Sequence, residues 1–494
     1  MEKKIMIAGA GIGGLTAGSL LAKYGLEVTL LEASSELGGS AGKFKRKNEV
    51  FPVGATLGMG FEKNGIHERV LRYLDRPFPV DPLETVMEMV YPETTFVFYK
   101  DRTRHVNQLI RHFLGYEKQI QEFYQEIYHT AATVRTLMDR LPALPPSTAK
   151  EWLYLTTSLR TRHTRLLPLF NQTLGQRLKR HGLDQLFPFR HMIDGLLIDS
   201  MQTDSSHVSY LLAAVALDIY HEGAYYIPGG LYRLAEEMGQ SLLENGGTLK
   251  KRRALSKLER ANNMWIATDH RGNQYEATDV VLNIPIHQLA NILAPELISQ
   301  LKKPLQKGLT EPTWTTLALY MTVDSTKLQS PLPPFRQVST ALGDRLSEGA
   351  HFFMSASRPG DLLRAPEGFQ TVTVSTHSKA ENWDTQEKYE DMRKTLTERM
   401  LDAIEQVVPR FRQALVHLET GAPKAWERYT GRPNGYVGGF PQTLDNALFN
   451  SISHRSGLPR LYICGDHVFP GGGTIGAATS GIHAARSISG SQLI

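Results

Sequence analysis

Apolar residues fall into two rhythms along this chain. At 5–8 the run Ile-Met-Ile-Ala is short and unbroken, as a strand buried on both faces requires. Positions 15–24 carry apolar or small residues at helical spacing, and Gly25 stops that helix. A second short run at 28–31 ends on Glu32. The three together predict one strand–helix–strand unit of about 30 residues. From 105 to 220 the spacing is helical and rich in aromatics, with a proline-rich break at 141–146. A helix is predicted over 231–244, ended by Asn245-Gly246-Gly247, then strands at 249–258 and 280–284. Between 310 and 420, strands at 316–323 and 371–376 mix with a charged helix at 386–407. The tail returns to the opening rhythm: a strand at 461–464, a glycine-rich turn and a helix of small residues.

The two ends and one middle block thus share a strand–glycine–helix grammar that the intervening segments lack. This predicts an α/β protein: a Rossmann-like domain assembled from residues 1–75, 222–290 and 455–494, with an inserted α+β substrate domain from 76–221 and 291–454.

Chemistry concentrates in the glycines. Gly9-Ala10-Gly11-Ile12-Gly13-Gly14 satisfies G-x-G-x-x-G, after a strand and before a helix. Gly9 allows the tight turn, Gly11 lets a pyrophosphate approach the backbone, and Gly14 lets helix and strand pack closely. Glu32, 23 residues after Gly9, stands where a carboxylate accepts from adenosine ribose hydroxyls. No Arg or Lys directly follows it, so a 2′-phosphate has no evident partner and FAD or NAD remains. Gly38-Gly39-Ser40 is a second place where backbone can pass a pyrophosphate and ribityl chain. The tail, with Gly465-Asp466 and then Ile475-Gly476-Ala477, suits a cofactor that extends beyond its adenosine. Asp466 can accept from a ribityl hydroxyl, and a helix starting near Ile475 can aim its positive end at the flavin N1/O2 edge.

Composition narrows the class. Of 494 residues 41% are hydrophobic and 21% charged, which excludes a disordered chain. The single cysteine, Cys464, excludes an intrachain disulfide and a cysteine-based metal cluster, and fits a reducing, cytoplasmic setting. Lys3 and Lys4 before the apolar stretch 5–22 mimic a leader, but four glycines in six positions would make a poor helix, so no targeting or spanning segment is expected. Net charge is +5, and 151–190 alone holds seven basic and two acidic residues, so the excess is local.

At this point the residues resemble a known family. The run 9–32 with Gly38-Gly39 is similar to the opening of FAD-dependent amine oxidases and carotenoid desaturases. Tyr226-Ile227-Pro228-Gly229-Gly230-Leu231, with Gly246-Gly247 closing its helix, resembles a second motif of the desaturase branch, and Leu255 falls where that group places a backbone contact to the adenine side. Thr420-Gly421-Ala422-Pro423-Lys424, Gly431, Gly435, Tyr436, Phe469-Pro470-Gly471 and 478–481 look most like carotenoid isomerase and desaturase members, with retinol saturases as close relatives. The resemblance implies non-covalent FAD, because Cys464 does not match the covalent attachment of some amine oxidases. It also implies desaturation, saturation or isomerisation of an apolar polyene at flavin N5, with Tyr436 as an aromatic wall. Two positions depart from it: Ser40 stands where the family commonly has Arg, and Pro52-Val53-Gly54-Ala55-Thr56 where it often reads Asp-x-Gly-x-Thr.

A membrane-borne polyene calls for a surface that meets the bilayer. Residues 151–190 interleave Trp152, Leu153, Leu159, Leu166 and Leu167 with Arg160, Arg162, Arg165, Arg177, Lys179, Arg180 and Arg190, as a peripheral headgroup-level segment would. Nucleic acid is not expected, since no binding module accompanies the charge. No catalytic residue and no metal site stand out: His191, Asp194, Asp199 and His467 read as structural. The alternatives are a soluble flavin amine oxidase and, outside enzymes, a lipid- or prenyl-binding protein like the Rab GDP-dissociation inhibitors.

Overall fold

The structure is a computed structural model that describes residues 3–343 and 346–494. Five strands form a wholly parallel sheet in the order Leu461–Ile463, Asp279–Leu282, Lys4–Ala8, Glu27–Glu32 and Thr248–Lys251. Its members come from the head, the middle and the tail of the chain, the three segments with the shared grammar. They are covered on both faces, which is why their runs are apolar without alternation. On one face lie helices Ile12–Lys23, Tyr232–Glu244 and Gly473–Ser489, sharing a core with Leu15, Leu30, Met238 and Ile482. On the other lies a three-stranded antiparallel sheet, Leu255–Ala261, Met264–Asp269 and Gln274–Ala277, packed through Trp265.

That small sheet corrects the single strand expected at 249–258. Lys251 ends the parallel sheet, Arg252 takes a positive φ of 56°, and Leu255 starts a strand in a different sheet. Charged residues run through both strands and hide the break.

The second half is organised around a seven-stranded sheet in the order Leu415–Gly421, Thr315–Asp324, Phe369–Ser378, His351–Ala356, Phe335–Ser339, Thr85–Tyr91 and Thr94–Tyr99. Every pair is antiparallel except Phe335–Ser339 with Thr85–Tyr91. Helix Gln386–Val407, with the bounds expected, packs one face through Leu396, Met400 and Ile404. Helices Glu117–Met138, Phe187–Met201 and Tyr210–Glu222 share an aromatic core that includes Phe123, Phe189 and Tyr210.

Candidate functional site

The carboxyl ends of the parallel strands open onto one crevice. The chain leaves Lys4–Ala8 toward Glu27–Glu32 on one side and is joined by Asp279–Leu282 on the other, the switch point at which open α/β sheets bind ligands. Gly9 turns out of the strand with φ +97°, a value only glycine takes easily. Gly11 caps helix Ile12–Lys23, whose first turn has no side-chain cap and no acidic residue, so its N–H groups stay available to an anion. The helix starts three residues earlier than its apolar spacing implied, taking in Gly13 and Gly14. Packing overrides propensity here: a Cβ on Gly14 would lie 2.1 Å from the Gly9 carbonyl oxygen.

Glu32 accepts from the N–H groups of Ala10 (2.6 Å) and Ser34 (2.7 Å). Burial pushes its carboxyl pKa up, against these donors and Lys251. Gly38 donates to the Ala10 carbonyl at 2.8 Å and pairs with Gly11, so the second glycine pair lies directly against the first turn. Gly39 and Ser40 continue as a 3-10 turn whose Ser40 carbonyl accepts from Ala55 at 3.0 Å. Two residues before Leu255, Arg253 donates to the Glu32 carbonyl at 2.7 Å, which brings the start of strand Leu255–Ala261 near the end of strand Glu27–Glu32.

From the tail, Gly465 donates to Ser480 Oγ at 2.9 Å. Helix Gly473–Ser489 begins two residues before Ile475 and takes in Gly476 and Ala477; like its partner it has no side-chain cap and no acidic residue in its first turn. The two helices touch so closely that a Cβ on Gly481 would lie 2.3 Å from the Gly13 carbonyl oxygen, which accounts for the small residues of this helix. Asp466 has two partners within the chain. Its Oδ2 pairs with Arg432 at 2.6 Å and its Oδ1 with His467 at 2.9 Å. Burial alone would raise its pKa, but these two partners hold it well below the usual carboxylate range.

Asn283 is the residue that sequence reasoning missed. It follows strand Asp279–Leu282, donates through Nδ2 to the Gly9 carbonyl at 3.2 Å, and its side chain faces Gly11, Gly13 and Gly465. The signal was present: it is the polar residue ending a buried run, at the strand end where ligands bind. Arg432 was missed as well. Besides holding Asp466 it donates to the Gly438 carbonyl at 3.1 Å, and so ties residues 431–439 to the tail turn.

The Pro228-Gly229-Gly230 turn is held elsewhere, by Asp361, which accepts from Gly229 N (2.8 Å) and the Tyr226 hydroxyl (2.5 Å); the helix after it packs on Ile12–Lys23. Tyr436 is buried, with its ring centroid 5.1 Å from that of His287. Cys464 is buried and its thiol pKa is pushed up by burial, the opposite of an activated thiolate. His191 bonds Ser339 Oγ at 2.8 Å and Asp194 accepts from Ser205 N at 2.7 Å.

In the basic stretch, Trp152, Leu153, Leu159 and Leu167 are exposed beside exposed Arg160, Arg162 and Arg165. Arg177 and Leu166 must be withdrawn from that surface: Arg177 is buried and pairs with Glu126 at 2.7 Å, and Leu166 is buried in the helical core. Among the described residues no helix is long and apolar enough to cross a membrane.

The crevice fits a dinucleotide with a long second half. Two uncapped helix N-termini face it, Glu32 stands at one end, and the glycines leave room for backbone contact. The family model for flavin-containing amine oxidoreductases matches residues 12–489. The chain is 24% identical to prolycopene isomerase 2, chloroplastic, of an Oncidium hybrid cultivar, over 99% of this chain and 84% of that protein. It is 23% identical to all-trans-retinol 13,14-reductase of Danio rerio, over 96% and 85%. Among solved structures, an oxidoreductase from Methanosarcina mazei superposes with a TM-score of 0.65 at 15% identity, covering 99% of this chain and 100% of that one.

Proposed function

We propose, on the premise that the chain belongs to the family of flavin-containing amine oxidoreductases, that this FAD-dependent enzyme desaturates, saturates or isomerises a carotenoid-like polyene. The observation that carries the substrate class is the reach of the similarity: 99% of the chain aligns with a prolycopene isomerase, so the likeness runs through the substrate half as well as the glycine turns.

FAD, when bound, supplies a ring that takes up and returns an electron pair. The chain's own residues do the holding. The Gly9–Gly14 turn and Gly38-Gly39-Ser40 receive the pyrophosphate, Glu32 the adenosine ribose, and the backbone at Leu255 the adenine. Gly465 and Asp466 would hold the ribityl chain, with Asp466 kept ionised by Arg432. Ile475, Gly476 and Ala477, in the first turn of the tail helix, stabilise negative charge at the flavin pyrimidine edge. FAD is held without a covalent bond. Residues 1–75, 222–290 and 455–494 form the cofactor domain, and the rest the substrate domain. The exposed Trp152, Leu153, Leu159 and Leu167 with their neighbouring arginines rest on an anionic membrane surface, from which an apolar substrate enters.

The deciding experiment is product analysis of cis-polyenes fed to purified yellow protein, with and without an electron acceptor. Isomerisation needs reduced flavin but no net acceptor, whereas desaturation consumes acceptor stoichiometrically. Peroxide production from amines with no polyene turnover would overturn the reading in favour of an amine oxidase. A colourless protein that releases no FAD would favour a lipid-binding role.

A further inference from the structure

The seven-stranded sheet has two unlike faces. Alternate residues such as Leu317, Leu319, Val374 and Phe352 meet helix Gln386–Val407. The opposite face is mixed: Thr316, Thr373, Gln337, Ser339 and His351, all buried, stand in register with Ala318, Tyr320, Phe335, Phe353 and Met89. Apolar packing alone does not account for its polar members.

Two of these polar residues, Gln337 and His351, meet Asp199, near the end of helix Phe187–Met201. Gln337 Nε2 donates to Asp199 Oδ2 at 2.8 Å. His351 Nε2 lies 3.5 Å from the same oxygen, and His377 Nδ1 lies 3.7 Å from Oδ1. Gln337 Oε1 and His351 Nδ1 are buried without a hydrogen-bond partner, and His351 Nε2 has only its long approach to Asp199; Gln337 and His351 are 2% and 1% exposed. Asp199 and His377 keep partial exposure, so the cluster is not sealed. Among the described residues no three His, Cys, Asp or Glu side chains are arranged to hold a metal ion.

The cluster also adjoins the cofactor side. One helical turn beyond Asp199, the Gln202 side chain packs against Gly438, and the Gln202 carbonyl accepts from Trp314 Nε1 at 2.9 Å. The Trp314 ring stands 5.8 Å from that of His377. Gly438 is the residue that Arg432 ties to the tail turn through Asp466.

We propose that Asp199, Gln337, His351 and His377 form a recognition site for a hydroxyl-bearing end group on the polyene; this rests on the polyene reading above. A hydroxyl both gives and takes hydrogen bonds, and so can donate to Gln337 Oε1 and pair with a ring nitrogen of His351. A hydrocarbon end would leave them unpaired, and a site built for hydrogen bonding discriminates strongly against an analogue that lacks the group.

The test compares matched pairs on the FAD-loaded protein in one detergent: zeaxanthin against β-carotene, and retinol against its deoxy hydrocarbon. Dissociation constants come from quenching of protein fluorescence. The expected result is at least a tenfold preference for the oxygenated member of a pair. That preference should collapse toward unity in His377→Gln and Asp199→Asn, with flavin content and melting temperature near those of the parent. Equal binding of hydrocarbon and oxygenated ligand, as expected if ordered water already satisfies the cluster, overturns the inference and leaves the polyene reading standing. So does a preference that survives both substitutions. If no member of either pair binds, the polyene reading itself falls and the inference falls with it.

Discussion

In the parallel-sheet half the chemistry is carried by backbone; in the seven-stranded half it is carried by side chains. Gly9, Gly11, Gly14 and Gly481 matter because nothing larger than hydrogen fits between two main chains or beside an approaching phosphate. Asp199, Gln337, His351 and His377 matter for the groups they present, and they come from one helix and three strands far apart in the chain. A backbone site writes its constraint into neighbouring letters. A side-chain site spreads it over positions that only a sheet register brings together.

The largest expected effect tests the backbone side. Gly14→Val, forced against the Gly9 carbonyl, should lose its flavin and cost about 3 kcal/mol or more of stability. Flavin absorbance per chain and thermal melting read it out, and a yellow, stable variant would break the contrast. On the side-chain side, Arg177→Ala leaves the half-buried Glu126 with only His181 and Tyr210 as partners and should cost about 3 kcal/mol, whereas Arg165→Ala on the surface should change stability by less than about 0.5 kcal/mol. Burial alone would raise the Glu126 pKa, but Arg177, His181 and Tyr210 pull it down to about 2 from 4.5. Its contribution is therefore present at neutral pH and is lost as pH falls from about 4.5 through 2, and Arg177→Ala should flatten that part of the acid melting curve.

Asp194 runs the other way. Burial, opposed by Ser205 and Arg190, lifts its carboxyl from 3.8 to about 6. Its folded form favours the proton, so stability declines as pH rises from about 4 through 6 and stays lower above. Asp194→Asn, which keeps an acceptor for Ser205 N, should gain about 1–3 kcal/mol at pH 7.5 and little at pH 4, by denaturant melts at the two values. The smallest effect on the fold belongs to Trp152→Ala with Leu153→Ser. Melting and flavin content should hold within about 0.5 kcal/mol, while sedimentation with anionic vesicles drops several-fold. Unchanged vesicle binding would remove that surface from the membrane proposal.

The differences between expectation and structure follow the same division. The strands of the parallel sheet were legible because burial on both faces leaves unbroken apolar runs. Strands Phe335–Ser339 and His351–Ala356 went unread because Arg, Gln, Ser and His dilute their apolar signal, whereas Thr85–Tyr91 and Thr94–Tyr99 carry a plain apolar pattern and were missed all the same. Arg177 looked like part of a charged surface because a basic residue one helical turn from another reads the same whether it meets water or Glu126. Asn283 and Arg432 lie at the crevice through contacts to residues 274 and 34 positions away.

From its letters alone the chain determines a glycine-turn crevice, its two helices and the parallel strands behind them, since backbone approach and two-sided burial are local demands that each residue must meet where it stands. The partners of Asp466, the burial of Arg177 and the gathering of Asp199, Gln337, His351 and His377 were decided by tertiary structure. Electrostatic and hydrogen-bonding partners are chosen by distance in space, and the order of residues along a chain carries no measure of that distance until the sheets are paired.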